Sequence, residues 1–105
     1  AGVDASGHDP MGRMLCTSLT FHALTTGVCD LAAELCGGRC VFVHEGGYSP
    51  WYQPMLVLGT ASAIAGMPPP EDPFRHSLDH LPGQRLQPHQ KRVIDFLRGH
   101  HPLVV

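Results

Sequence analysis

The sequence predicts an α/β fold with a parallel sheet. Three observations favour it: a helical repeat of apolar residues within 18–36, a continuous apolar run at 40–43, and a second helical stretch at 50–65. A short apolar run without polar alternation is typical of a strand covered on both faces, as in parallel sheets. A single complete strand cannot form a sheet, so we expect the remaining strands to lie upstream of Ala1.

Length and composition exclude several classes of protein. The 105 residues suffice for one small domain, and 43% hydrophobic against 15% charged residues is not the composition of a disordered tail. The net charge of −2 gives no support to a basic nucleic-acid surface. Every apolar run is shorter than the roughly 18 residues that a membrane helix needs. We therefore expect neither a nucleic acid nor a membrane as partner.

The first helix is predicted over residues 18–36. Thr17 or Ser18 can cap its N-terminus, and Gly37 with Gly38 can end it. Apolar residues recur along one of its faces at helical spacing: Leu24, Val28, Leu31 and Leu35. We expect a neighbouring element to cover this face.

A strand and a second helix are predicted next. The apolar run at 40–43 is followed by polar residues and glycines, which end a strand. Ser49 can cap a helix, and Pro50 suits its first position. The helix is therefore predicted over 50–65, with Gly66 closing it.

The remaining chain is predicted to contain one more helix. Prolines make residues 67–86 an irregular connection. Pro88 can open a helix, which we expect Gly99 to end.

Cysteines and histidines give weaker signals. None of the four cysteines forms a C-x-x-C pair, which favours reduced thiols and a cytoplasmic location. His76 and His80 are expected to form a surface pair, and the tandem His100-His101 an exposed tail. An independent metal-binding mini-domain that uses histidine and cysteine stays a weaker alternative.

Two loops that leave strand ends each carry a chemically active side chain. Asp4 follows the end of a first strand segment, and Tyr48 follows the strand at 40–43. In open α/β sheets ligands gather at the carboxyl ends of strands, so we expect both side chains at the same edge. A carboxylate can ligate a divalent metal, and a phenol can donate a hydrogen bond to a developing oxyanion. Taken alone, each residue is more often an ordinary turn residue.

Two segments resemble motifs of the histone deacetylase-like amidohydrolases. Ala1-Gly2-Val3-Asp4-Ala5, with Asp9-Pro10-Met11-Gly12 behind it, is similar to the family's A-G-F-D-A…D-P-L-G motif. Val43-His44-Glu45-Gly46-Gly47-Tyr48 resembles its E-G-G-Y motif in the class II form. The resemblance covers residues 1–66 as the C-terminal part of a catalytic domain, whereas residues 67–105 fit a loop and helix extension.

The resemblance implies a fragment of a three-layer, arginase-like α/β fold and a zinc-dependent deacylase. In that family's pattern Asp4 would be a zinc ligand, and Tyr48 would be the catalytic residue that stabilises the oxyanion. Asp9 would be a neighbouring loop residue rather than a metal ligand. Three residues would border the substrate channel: Met11, Gly46 and Gly47.

The resemblance further implies acyl-lysine as the substrate. Met11 stands where some polyamine-preferring relatives carry Glu, and an apolar side chain does not stabilise a second ammonium group. An acetylpolyamine or another small amide stays the alternative substrate, and a non-catalytic interaction module the alternative function. The family's tandem histidines and Asp-x-His pair have no counterpart in a matching context. We therefore expect the other zinc ligands upstream, and the chain alone to be inactive.

Overall fold

The computed structural model describes residues 1–12 and 14–100. Four helices lie within these ranges: α1 (Ser18–Cys36), α2 (Gln53–Ile64), α3 (Arg75–Asp79) and α4 (Pro88–His100). Arg13 and residues 101–105, which include the second histidine of the predicted tail, lie outside the described residues. None of the helices in the described ranges combines the length and the apolar character needed to cross a bilayer.

The predicted parallel sheet is absent from the described residues, so the α/β fold class, with its three-layer arginase-like architecture, is wrong for this chain. Residues 40–43 are irregular, and the Val41 side chain is 86% exposed. Residues 1–3 and 43–46 share three main-chain hydrogen bonds, among them the Val3 N–H donating to the Gly46 carbonyl at 2.9 Å. The described residues also contain an isolated parallel bridge between Ser6 and Cys16, and one face of residues 40–43 stays open. The apolar run indicated residues that favour burial but did not identify their partners.

Helix α1 begins and ends where the sequence predicts. The Thr17 N–H donates to the Thr20 hydroxyl at 3.2 Å, so one amide ahead of the first turn has an acceptor. Gly37 takes a left-handed conformation with φ of 61°, which lets the chain leave the helix without the steric cost of a Cβ. Both signals are local. Thr17 is the residue before the helix and Gly37 the residue after it, as predicted, but at the N-terminus the side chain that accepts the bond is that of Thr20.

The face of α1 that is buried differs from the predicted one. The side chains of the predicted apolar face are between 46% and 72% exposed: Leu24, Val28, Leu31 and Leu35. The buried residues of α1 are instead Ser18, Phe21, Thr25 and Ala32. Helical spacing thus located the helix but not the side that packs within this chain.

Helix α2 begins at Gln53 rather than at Pro50 because a turn precedes it. The Ser49 carbonyl accepts the N–H of Tyr52 at 3.2 Å and that of Gln53 at 2.9 Å. The helix ends at Ile64, within a residue of the predicted end, and Gly66 follows with φ of 66°.

Helix α3 lies in the connection that was predicted to be irregular. The Asp72 carboxylate accepts the N–H of Phe74 at 3.0 Å and that of Arg75 at 3.2 Å, which satisfies amides at the start of this short helix. Helix α4 begins at Pro88 as predicted but runs through Gly99 to His100. Gly99 is not among the glycines with positive φ, and without that conformation a glycine does not end a helix.

A small core joins α1, α2 and the segment around α3. Its buried apolar members are Val3, Phe21, Tyr52, Leu56 and Leu78. The Asp72 carboxylate accepts the Ser18 hydroxyl at 2.6 Å and the Tyr52 hydroxyl at 2.9 Å, which ties the segment before α3 to the first residue of α1 and to the residue that precedes α2. Because α1 follows the loop of Asp4 and α2 follows Tyr48, the packing of α1 on α2 also positions these two loops.

Candidate functional site

The Asp4 carboxylate lies against the glycines of both predicted motifs. A Cβ added to Gly46 would be 2.8 Å from Asp4 Oδ2 and 2.9 Å from Asp4 Cγ. A Cβ added to Gly2 would be 2.9 Å from Asp4 Oδ1. Heavy atoms do not approach so closely without a bond, so the carboxylate occupies space that only glycine leaves open. The Asp4 loop and the loop of residues 45–48 are therefore in direct contact.

Gly47 brings the second loop onto the core. Its φ is 140°, a conformation that side chains of L-residues rarely adopt, and an added Cβ would lie 2.6 Å from Val3 Cγ2. The Val3 N–H donates to the Gly46 carbonyl one residue earlier. Glycine is thus required at position 47 for both conformational and steric reasons.

Asp9 connects the two loops through its carboxylate. Oδ1 accepts the N–H of Met11 at 2.8 Å and that of Gly12 at 3.0 Å, and Oδ2 accepts the N–H of Tyr48 at 2.7 Å. Burial by itself raises the pKa of the Asp9 carboxyl, but these hydrogen bonds outweigh burial and set the pKa below its usual value. The side chain is buried and is acceptor-only when ionised, which suits three converging donors.

Tyr48 and Met11 present their side chains to solvent beside this contact. The Tyr48 side chain is 55% exposed while its N–H is held by Asp9, and the Met11 side chain is 72% exposed. The structure thus brings the loops of all five predicted site residues together. Their roles as metal ligand, catalytic residue and channel lining stay predictions.

The described residues do not complete a metal site. No group of three or more His, Cys, Asp or Glu side chains in residues 1–12 and 14–100 could hold a metal ion. A carboxylate such as that of Asp4 is a suitable zinc ligand, yet zinc sites in proteins use three or four protein ligands. His76 lies on α3 and His80 directly follows that helix; their ring centroids are 4.1 Å apart, and both residues are exposed.

Comparison with known proteins agrees with the motif assignment. The model of the histone deacetylase domain matches residues 1–63, which include both loops, all of α1 and all but the last residue of α2.

The chain belongs to the histone deacetylase family.

Curated members of the histone deacetylase family match it over different lengths. The histone deacetylase-like amidohydrolase of Pseudomonas aeruginosa is 40% identical over 99 residues, covering 92% of this chain and 26% of that protein. The chloroplastic histone deacetylase 10 of Oryza sativa is 44% identical over 68 residues, covering 65% of this chain and 15% of that protein. The chloroplastic histone deacetylase 14 of Arabidopsis thaliana is 47% identical over 49 residues, covering 47% of this chain and 12% of that protein. The chain therefore spans about a quarter or less of the relatives' length.

Sequence reasoning missed two parts of the site in this deacetylase-family chain. The first is the hydrogen bond from the Tyr48 N–H to the Asp9 carboxylate. An Asp before Pro-Met-Gly predicts a turn in which the Asp side chain accepts nearby amides, but nothing local predicts a bond to a residue 39 positions later. The second is His8, whose ring centroid lies 4.8 Å from that of Trp51 and 4.9 Å from that of Tyr52. These rings pack the Asp4 loop against the start of α2, a contact that the sequence pattern does not predict.

Proposed function

We propose that this chain forms part of the active site of a deacylase that hydrolyses the amide bond between an acyl group and an amine. Membership of the histone deacetylase family supports the reaction class. The observation that carries the proposal is the contact of the two motif loops, in which the Asp4 carboxylate lies against Gly46 and the Tyr48 N–H is bound to Asp9. Residues that act on one substrate must converge in this way.

Tyr48 is proposed to stabilise the oxyanion that forms when water adds to the amide carbonyl. Its phenol can donate one hydrogen bond, and its side chain is sufficiently exposed to meet a substrate. Removing one such donor from an acyl-transfer enzyme lowers kcat by about 10²–10³. Gly46 and Gly47 let the loop of residues 45–48 approach Asp4 and Val3 closely, which holds Tyr48 beside the Asp4 loop.

Asp4 is proposed to contribute one ligand to a zinc ion. Carboxylate oxygen is an accepted zinc ligand, but the described residues supply no complete set. We assign the remaining zinc ligands and the general base to parts of the protein outside these 105 residues. The chain on its own is then expected to hold less than stoichiometric zinc and to leave amides intact.

Acyl-lysine is the proposed substrate, with a small acetylated polyamine as the alternative. An acetylated polyamine keeps a free ammonium group besides its amide, and this group needs a carboxylate or another acceptor at the site entrance. Met11 offers an exposed apolar side chain in this loop instead, and it suits the methylene groups of an acyl chain or a lysine.

A non-catalytic interaction module is a second candidate function, favoured by one observation. The apolar face of α1 is exposed, and a helix face of this kind commonly binds a partner. The two candidates differ in whether Tyr48 and Asp4 matter for chemistry.

A hybrid enzyme tests the proposed function. The matching 99-residue region of the P. aeruginosa amidohydrolase is replaced by this chain. We expect one zinc per hybrid molecule by elemental analysis, and faster hydrolysis of an acetyl-lysine peptide than of acetylputrescine. A folded hybrid that binds zinc but cleaves neither amide would contradict the proposal and favour the interaction module.

A further inference from the structure

We propose that Asp9 is a positioning residue that fixes the main chain at Tyr48 against the Asp4 loop. This inference rests on the proposed function for the role of Tyr48, but the tether itself is a property of the fold. It assigns a task to a carboxylate that is neither the proposed metal ligand nor the proposed oxyanion donor.

The geometry of the carboxylate carries the inference. Oδ1 accepts two amides of its own loop, those of Met11 and Gly12, while Oδ2 accepts the Tyr48 amide at 2.7 Å. The last bond is the shortest of the three and joins residues 39 positions apart. One side chain therefore defines its own loop with one oxygen and holds the second loop with the other.

The position of Tyr48 explains why such a restraint is needed. It follows two glycines, which leave the main chain freer than other residues do. Its own side chain is more than half exposed, so packing supplies little of its placement. A charge-assisted hydrogen bond to the amide is roughly twice as strong as a neutral one and sets where the Cα of Tyr48 lies.

The arrangement requires Asp rather than Asn. Three N–H donors converge on the side chain, and a carboxylate offers an acceptor oxygen to each side. An Asn side chain has one acceptor oxygen and one NH₂ donor, so its NH₂ group must face a backbone N–H on one side, where no hydrogen bond can form. Turning the oxygen toward Met11 and Gly12 satisfies two amides, whereas turning it toward Tyr48 satisfies one. The first orientation is favoured, and Asp9→Asn should therefore release Tyr48 selectively.

Amide hydrogen exchange of the whole 105-residue chain, followed by ¹H–¹⁵N NMR, tests the tether. In Asp9→Asn we expect the Tyr48 amide to exchange at least about tenfold faster and its proton resonance to move upfield, because the bond to a carboxylate is lost. The amide resonances of Met11 and Gly12 should stay close to their positions in the unsubstituted chain. In Asp9→Ala all three resonances should move.

Asp72→Asn is the matched control. Asp72 is likewise a carboxylate that accepts two backbone amides, but it lies beside Ser18 and Tyr52 rather than at the loops. The control should leave the Tyr48 amide proton resonance in place, and any faster exchange that it causes should be shared by amides throughout the core. Unaltered exchange of Tyr48 in Asp9→Asn, or an equal upfield move of the Tyr48 amide resonance in Asp72→Asn, would overturn the inference. Because the readout does not depend on hydrolysis, an inactive hybrid enzyme would leave this result intact, and loss of the tether would not by itself contradict deacylase activity.

Discussion

The contact between α1 and α2 can be tested with a single methyl group. A Cβ added at Gly59 in α2 would lie 2.5 Å from the carbonyl oxygen of Ser18 and 3.2 Å from its carbonyl carbon. Both are main-chain atoms of α1, so no side chain can move aside to make room. The two helices would have to separate, and with them the loops that carry Asp4 and Tyr48.

We expect Gly59→Ala to lower the free energy of unfolding by about 2 kcal/mol. Forcing an extra group into a packed contact costs about 3 kcal/mol at the upper end of the usual range. The higher helix propensity of alanine offsets about 1 kcal/mol of that cost. Gly27→Ala is the matched control, since Gly27 also lies within a helix but an added Cβ meets nothing within 4 Å. That substitution should raise the free energy of unfolding by about 1 kcal/mol.

Urea unfolding followed by far-ultraviolet circular dichroism measures both effects. With an m-value of about 2 kcal/mol/M, typical of a small protein, the midpoints of the two variants should differ by about 1.5 M. Equal midpoints would refute the close approach of α1 to α2. They would also remove one of the contacts that position the two motif loops.

Three further predictions concern the core, acid stability and catalysis. Leu78→Ala should lower the free energy of unfolding by about 2–5 kcal/mol because Leu78 is buried, whereas the exposed Leu35→Ala should change it by less than about 0.5 kcal/mol in the same urea assay. Burial by itself raises the pKa of Asp72, but its hydrogen bonds outweigh burial and set the pKa below its usual 3.8. Between the two pKa values the unfolded chain binds more protons than the folded chain. The stability that Asp72 contributes above pH 3.8 should therefore be lost as the pH falls below 3.8. Asp72→Asn should reduce this loss, which urea midpoints measured at a series of pH values would show. In the hybrid enzyme Asp9→Asn should lower kcat at least about tenfold and change KM less. A misplaced oxyanion donor weakens binding of the transition state more than binding of the substrate. An equal effect on KM would indicate general damage to the site.

Local signals in the sequence predicted the ends of the helices well. Thr17 and Gly37 bound α1 as expected, and Pro88 opens α4. Each of these signals acts within a few residues, so it can be recognised without knowing what packs nearby. Where a local signal failed, as at Gly99, the conformation that gives it meaning was not adopted.

Long-range packing could not be predicted in the same way. Two apolar surfaces were predicted to favour burial, the run at 40–43 and one face of α1. Neither pattern predicts which part of the protein would cover it. A strand needs hydrogen-bonding neighbours, and three bonds between residues 1–3 and 43–46 do not supply a sheet. The helix at Arg75–Asp79 depends on the Asp72 side chain, whose other oxygen is held by α1 and Tyr52, so its cause lies outside its own segment.

The candidate site shows the same division. Motif resemblance placed Asp4, Gly46, Gly47 and Tyr48 in two loops, and the structure brings those loops into contact. The resemblance assigned no contact to Asp9, because its bond to Tyr48 becomes visible only when residues 39 positions apart are placed in space.

The deacylase account is tested most directly by comparing two Tyr→Phe substitutions in the hybrid enzyme. Tyr48→Phe should lower kcat by about 10²–10³ while zinc content is retained, because the phenol is the proposed oxyanion donor. Tyr52→Phe, which removes a hydroxyl buried against Asp72 in the core, should leave kcat within about twofold although it destabilises the fold. Unchanged kcat in Tyr48→Phe, or an equal loss in both variants, would contradict the assignment of Tyr48 to the reaction.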